Sequence, residues 1–381
     1  MQKNNKIKTL CCIHDFRGRG AEKVLSVILK YIDQTRFEVG LFTFNERCNY
    51  TIPDSICRFS LKEKASEVNV LKKILRTFNR FIFLTKIVRE FKPDVIFAVA
   101  GMNELVIVQK LLSGGKVKAV LSEHAELSKL RTDHWESFHA KIRKFIIKWL
   151  YPSADVIIAP SLNVLNELYE QFGVPRKNMK VVRNPLEIEL IRELSMISIN
   201  HSDETKGDFK IGFVGALSRE KNIQVLIHAL AILNRTDGKY SLNIVGVGDL
   251  EIHLRDLVNS CRLEKKVTFL GFKNNPYCYI NDFDVLVISS ENEVLPYVIV
   301  EAMAIGVPVI TSDWVGVDDV FSNEINCLVF KRGNESALAE AIKRLRMDSK
   351  LREQLVAGGN ELIESFSATR VVKEYESLFA N

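Results

Sequence analysis

The stretch from Lys210 to Leu233, KIGFVGALSREKNIQVLIHALAIL, reads as a strand, a glycine turn and a helix. Its opening run is short and rich in β-branched and aromatic residues, Gly215 interrupts it, and from Ile223 apolar residues recur with helical spacing. The same order occurs near the start, where KIKTLCCIHDF (6–16) precedes Gly18, Gly20 and then AEKVLSVILKYI (21–32). Outward from the first copy lie FEVGLFTF, DVIFAVA, KAVLSEH and ADVIIAPS; outward from the second lie YSLNIVGVG, VTFLGF, DVLVISS, VPVITS and NCLVF. Helical patterns separate these runs, so each series predicts a parallel α/β sheet, doubly wound and Rossmann-like, with helices on both faces. The expected domains are 1–185, 186–365 and a closing helix, 366–381, that packs back on the first. The polar stretch MISINHSDETKGDF (196–209) reads as a linker or surface loop.

A chain of 381 residues exceeds one typical core, in keeping with two domains. Its 47% apolar and 26% charged content is that of an ordinary globular protein. No stretch approaches the roughly 20 uncharged apolar residues of a membrane-spanning helix, and MQKNNKIKTLCCIHDF is too briefly apolar for a secretory signal. A cytoplasmic location is therefore expected. The seven cysteines, without a C-x-x-C pair, fit reduced thiols better than disulfides or a zinc site. The net charge of +6 conceals an asymmetry: residues 1–185 hold 32 Lys and Arg against 18 Asp and Glu (+14), and the remainder holds 21 against 29 (−8). A basic half favours a polyanionic partner, and it equally fits a solvated surface.

ENEVLPYVIVEAMAIGVPVI (291–310) sets Glu301 within an oily run. Pro296 suits a helix start and Gly306 its end, so a helix is expected over 295–305, with Pro308 leading into the next strand. Glu293 then lies in the preceding loop, and Glu301 lies about 7 Å along the axis at 1.5 Å per residue. Such spacing suits two parts of one extended ligand. A carboxylate offers two acceptor oxygens to the vicinal hydroxyls of a ribose, which fits Glu301, and Glu293 suits hydroxyls of a sugar nearer the phosphates. The alternatives are a solvated loop acid for Glu293 and a structurally bonded acid for Glu301.

Glycines at 18 and 20, before a helix, open the backbone to a phosphate or form a plain tight turn. The nicotinamide fingerprint fails there, because Lys23 stands where a third glycine or alanine is needed. In the second half, Arg219 and Lys221 follow the Gly215 turn and could neutralise a diphosphate leaving group. Asp282-Phe283-Asp284 has a metal-binding D-x-D spacing, but it directly precedes a strand, and no metal is expected to be required, since fixed cations and helix ends can stabilise a leaving diphosphate.

The spacing Glu293-x7-Glu301, followed by Ala-Met-Ala and Gly-x-Pro-Val-Ile, resembles the retaining nucleotide-sugar glycosyltransferases of family four, and Ser290 to Pro296 is similar to members that build bacterial surface polysaccharides. The resemblance extends to Gly18–Glu22, Ser122-Glu123-His124, the Gly215 loop, Gly246-x-Gly248 and the final helix. It implies the GT-B architecture, two facing Rossmann-like domains with a cleft between them, 1–185 on the acceptor side and 186–365 binding the nucleotide sugar. It further implies that Glu293 contacts the donor sugar, Glu301 the ribose, Lys221 the diphosphate and Gly20 the phosphates. His124 would lie near sugar and acceptor, or serve structurally, and Phe272, Lys273 and Asn274 would lie near the base. Two positions depart from the family pattern: Ala216 where arginine is common, leaving that contact to Arg219, and Val294 where glycine is usual.

Two basic aromatic runs complete the reading. Leu71–Lys92 carries Lys72, Lys73, Arg76, Arg80, Lys86, Arg89 and Lys92 among Phe78, Phe81 and Phe83; His139–Leu150 carries Lys141, Arg143, Lys144 and Lys148 with Phe145 and Trp149. They fit interfacial helices on an anionic membrane or a lipid diphosphate, and equally helices with a solvated basic face. No nucleic-acid motif accompanies the charge. The function expected is transfer of a hexose or N-acetylhexosamine from a nucleotide sugar, first of all a UDP-sugar, to a lipid-linked or growing glycan at the inner face of the plasma membrane. The rivals are an epimerase or hydrolase of the same plan and a non-catalytic membrane scaffold.

Overall fold

Runs such as Val95–Val99 and Val285–Ile288 are buried at every residue, which is what a parallel sheet covered on both faces demands. The computed structural model describes residues 6–16, 20–63, 70–124, 138–198, 207–236 and 238–380. The chain divides into two units, Met1–Pro185 with Ala368–Asn381, and Leu186–Ser367.

In the first unit the strands are β1 (Ile7–Cys12), β2 (Phe37–Thr43), β3 (Cys57–Ser60), β4 (Val95–Val99), β5 (Lys118–Ser122), β6 (Val156–Ala159) and β7 (Met179–Val181). All pairings are parallel, in the order β3-β2-β1-β4-β5-β6-β7. The helix Ala368–Ala380 completes this unit. It buries Val371, Tyr375 and Phe379, whose rings meet Phe97 and Phe37 edge-on, and its buried Glu376 accepts the Asp33 N–H at 2.7 Å.

The second unit contains β8 (Phe209–Val214), β9 (Tyr240–Val245), β10 (Val267–Gly271), β11 (Val285–Ile288), β12 (Val309–Ser312) and β13 (Leu328–Phe330), all parallel in the order β10-β9-β8-β11-β12-β13. Successive residues of β11 enter opposite cores. Val285 and Val287 pack with the helices Ile223–Asn234 and Glu335–Met347, whereas Leu286 and Ile288 pack with Ile188–Ser195 and Tyr297–Ile305. The helix Ile188–Ser195 thus belongs to the second core. The expected 196–209 loop lies partly outside the described residues.

Strand order reverses between β8 and β11, so the carboxyl ends of these strands form the switch point where ligands of doubly wound sheets bind. Backbone packs on backbone beside it. Gly246 sits at φ +140°, and a Cβ there would come 1.8 Å from the Gly215 carbonyl oxygen. Gly246→Ala is expected to destabilise the protein by at least about 2 kcal/mol, read as a lower urea midpoint. An unchanged midpoint would mean that the Gly215 turn yields freely.

Candidate active site

From the end of β8 the chain turns through Gly215 to a single 3-10 turn, Arg219–Lys221. Asn222 closes that turn in the left-handed region, φ 44°, and the helix Ile223–Asn234 follows. From the end of β11 come Ser289, Ser290 and Glu291. The two segments are laced together. The Glu291 N–H donates to the Glu220 carbonyl at 2.8 Å, Ser289 Oγ donates to the Lys221 carbonyl at 2.9 Å, and the Asn222 amide donates to the Glu291 carboxylate. Arg332 holds the Glu291 carbonyl from the far side at 3.1 Å.

This lacing brings Lys221 Nζ to 2.5 Å from Glu293 Oε1, across 72 positions of sequence. Ser290 Oγ donates to the same oxygen at 2.7 Å. The two residues expected to meet diphosphate and sugar therefore grip each other. Lys221 keeps 27% side-chain exposure and Glu293 11%, so the ammonium stands nearer solvent. Arg219, two residues earlier, is exposed.

Glu301 is buried within Tyr297–Ile305, a helix apolar on nearly every side, and accepts the Tyr277 hydroxyl at 3.2 Å. The helix begins two residues later than the sequence reading placed it. Pro296 is extended, with ψ 116°, and precedes the first turn instead of lying in it. Gly306, φ 92°, ends it as expected, and its N–H caps the Ala302 carbonyl. Val294 is absent from the residues with positive φ, so the residue beside Glu293 needs no glycine conformation.

Phe272 and Asn274 are exposed at the carboxyl end of β10, and Lys273 Nζ lies 5.2 Å from the centre of the Tyr279 ring. Asp282 and Asp284 lie at the opposite edge of this sheet. Asp284 Oδ2 accepts the Lys210 N–H at 2.7 Å and Asp282 pairs with Lys210 Nζ at 3.0 Å, tying the starts of β8 and β11.

In the first unit, Gly20 opens the exposed start of the helix Gly20–Tyr31; Gly18 lies outside the described residues. At the end of β5, Glu123 turns inward, where it accepts bonds from the Asn103 amide at 3.0 Å and the Tyr151 hydroxyl at 3.1 Å. His124 Nε2 lies 2.8 Å from Ser122 Oγ, and Ser122 also bonds the Tyr375 phenol of the closing helix. Burial pushes the His124 imidazole down to about 4 from the usual 6.5, so the ring is neutral at pH 7. Because the folded value is the lower one, the unfolded chain takes up the proton first, and stability falls as pH drops from about 6.5 toward 4. His124→Asn is expected to flatten that slope in urea titrations across this window; an equal slope would assign it to another group.

The basic helix Val70–Phe91 is only partly a free charged face. Arg80 makes a bidentate pair with Glu63 at 2.8 and 2.6 Å, Arg76 approaches the same acid at 3.8 Å, and Phe83 turns in against Phe42. Lys72, Lys86 and Arg89 remain exposed with Leu75, Phe78 and Ile82. On Phe138–Leu150 the rings of Phe145 and Trp149, each 63% exposed, lie 5.8 Å apart and tilted by 46°, and Lys144 and Lys148 are exposed on the same helix. No helix of the described residues is long and apolar enough to cross a membrane.

The sequence reading did not single out Tyr277, Asn222 or Arg332 as site residues. Asn222 and Ser290 carried a signal only as members of quoted stretches, the Gly215 loop and the Ser290–Pro296 motif.

Comparison with known proteins places both halves. Residues 18–190 match the model "Glycosyltransferase Family 4" and residues 197–361 match "Glycosyl transferases group 1". A Campylobacter jejuni N-acetylgalactosamine-N,N'-diacetylbacillosaminyl-diphospho-undecaprenol 4-alpha-N-acetylgalactosaminyltransferase is 28% identical over 95% of this chain and 96% of its own length. Among solved structures, Anabaena HepE in complex with UDP and glucose superposes with TM-score 0.77 at 19% identity, over 98% of this chain and 99% of that one. Sucrose-phosphate synthase of Thermosynechococcus elongatus gives 0.78 at 18%, covering 98% of each.

Proposed function

Because this chain belongs to the family 4 glycosyltransferases and has the GT-B fold, we propose that it moves a hexose or N-acetylhexosamine from a UDP-sugar to a lipid-linked glycan, with retention of anomeric configuration. The observation that carries this reading is the Lys221–Glu293 pair, set with buried Glu301 behind the switch point of the second unit. The relative that acts on an undecaprenyl diphosphate glycan supports the class of acceptor, and the UDP-bound neighbour supports the donor.

Glu301 receives the ribose hydroxyls on the carboxylate that Tyr277 already orients, and the loop Phe272–Asn274 meets the base. Lys221 exchanges Glu293 for the diphosphate and, with Arg219, spreads the charge that develops as the anomeric C–O bond breaks. Glu293, still held by Ser290, takes a sugar hydroxyl. His124 is assigned to the acceptor, and Gly18 and Gly20 to the phosphates. In a front-face transfer the acceptor oxygen bonds the anomeric carbon on the side the diphosphate leaves, and a diphosphate oxygen accepts the hydroxyl proton. Since fixed cations carry the phosphate charge, turnover is expected to persist in EDTA. Exposed Phe78, Phe145 and Trp149 beside exposed lysines would rest the first unit on an anionic membrane.

The deciding assay incubates the protein with labelled UDP-sugars, with and without a polyprenyl diphosphate-linked glycan. Donor should remain intact until the glycan is added, and label should then enter the lipid phase. Conversion without acceptor would favour an epimerase or hydrolase, and no binding of any nucleotide sugar would favour a scaffold.

A further inference from the structure

A hollow of about 470 Å³ lies in the first unit beside the amino ends of β5 and β6 and along β7, the last strand of the sheet. Doubly wound sheets take their usual ligands at the carboxyl ends of the strands, so this hollow stands at the opposite edge. Four lysines line it. Lys116 precedes β5, Lys118 opens it, Lys177 lies in the single 3-10 turn before β7, and Lys180 lies in β7 itself. Asp155 is the one acid of the described lining, and its Oδ2 already accepts Lys110 Nζ at 2.6 Å and the Ala119 N–H at 2.7 Å. Lys118 is half-buried and also engaged: its Nζ donates to the Leu378 carbonyl at 2.6 Å, in the last turn of the closing helix. Burial holds this ammonium below its ordinary value; Asp155 draws it back up and Lys180 pushes it down, so the lysine charges feel one another. Lys116, Lys177 and Lys180 are exposed and make no ion pair among the described residues.

Like charges gathered round one concavity repel, and together they focus a positive field that draws anions in. The lining limits which anion fits. None of the described lining residues is aromatic, so a nucleotide base would find no ring to stack on. None is arginine, so a planar carboxylate would find no fork to match both of its oxygens. Ammonium groups act as point charges, which suits tetrahedral anions with oxygens on every side. Linked phosphates carry several such charges in a compact form, one for each unpaired lysine. We propose that this hollow binds a soluble oligophosphate, a short chain of linked phosphates held by Lys116, Lys177 and Lys180. Lipid headgroups offer the same chemistry, but a bilayer presents its phosphates on a plane, whereas these lysines line a concavity.

The full chain, with UDP in excess to occupy the donor site, is acetylated with N-hydroxysuccinimidyl acetate, and each lysine is followed by peptide mass spectrometry. Inorganic tripolyphosphate should slow Lys116, Lys177 and Lys180 several-fold and leave the exposed Lys144 and Lys265 unchanged. Orthophosphate and citrate at matched ionic strength should protect none of them. Equal slowing at every lysine would mean general screening, and equal protection by orthophosphate or citrate would remove the preference for linked phosphates; either result overturns the assignment. Phosphatidylglycerol vesicles distinguish the lipid source. They should spare the three lysines, and protection by vesicles without protection by tripolyphosphate would make the hollow a membrane contact instead. In calorimetric titration, again with UDP in excess, the triple variant Lys116→Gln, Lys177→Gln, Lys180→Gln should bind tripolyphosphate roughly 10-fold more weakly or worse. An affinity within about twofold of wild type would place the ligand elsewhere. The three side chains are exposed and unpaired, so the variant should fold. Protection requires no turnover, so this assignment and the transfer reading fail separately.

Discussion

Glu301→Gln is expected to weaken UDP-sugar binding roughly 10- to 100-fold, the loss of one charge-assisted contact worth ~1.5–3 kcal/mol. Glutamine preserves the shape of the side chain and can still accept the Tyr277 hydroxyl through its amide oxygen, so the helix Tyr297–Ile305 should fold as before. What it removes is the carboxylate, and with it the second acceptor that a ribose diol requires. Calorimetric titration gives the Kd, and an unchanged melting temperature of the unliganded variant shows that the fold is intact. If Kd stayed within about twofold of wild type, Glu301 would be a structural acid satisfied by its neighbours.

Lys221→Met should act on the chemical step. Loss of one preorganised charge at a developing anion typically lowers kcat by about 10²–10³. The substitution also strips Glu293 of its cation and leaves Ser290 as a partner on that oxygen. The double variant Lys221→Met with Glu293→Gln distinguishes two roles. If the pair serves only to hold the loop, neutralising both partners should recover stability and turnover together. The transfer mechanism predicts recovered stability with turnover still lost, because the diphosphate has no ammonium to receive it.

Much of the architecture was legible because parallel strands buried on both faces announce themselves as continuous apolar runs. DVIFAVA and DVLVISS are strands for that reason, and the glycine punctuation at 215, 246 and 306 marks where the backbone must turn or pack tightly. Glu301 was legible as an acid out of place. The Lys221–Glu293 bond was not, since local periodicity says nothing of how β8 and β11 come to lie side by side. That adjacency follows from the crossover, and the pairing of residues 72 positions apart follows from it. The basic run in Val70–Phe91 was misleading in part for the same reason: Glu63, seven residues before the helix, claims Arg80 and draws in Arg76, and Phe83 faces the core. Composition counts those charges as free, and only the tertiary contacts show which of them are engaged. The helix start was displaced because Pro296 fits either the first turn or the extended residue before it, and sequence does not distinguish the two.

The most direct test of the account is a structure of the protein with a UDP-sugar bound. It should show both ribose hydroxyls on the Glu301 carboxylate and Lys221 Nζ moved from Glu293 to a diphosphate oxygen, with Glu293 turned to the sugar. A nucleotide bound elsewhere, with the Lys221–Glu293 pair intact, would contradict the account.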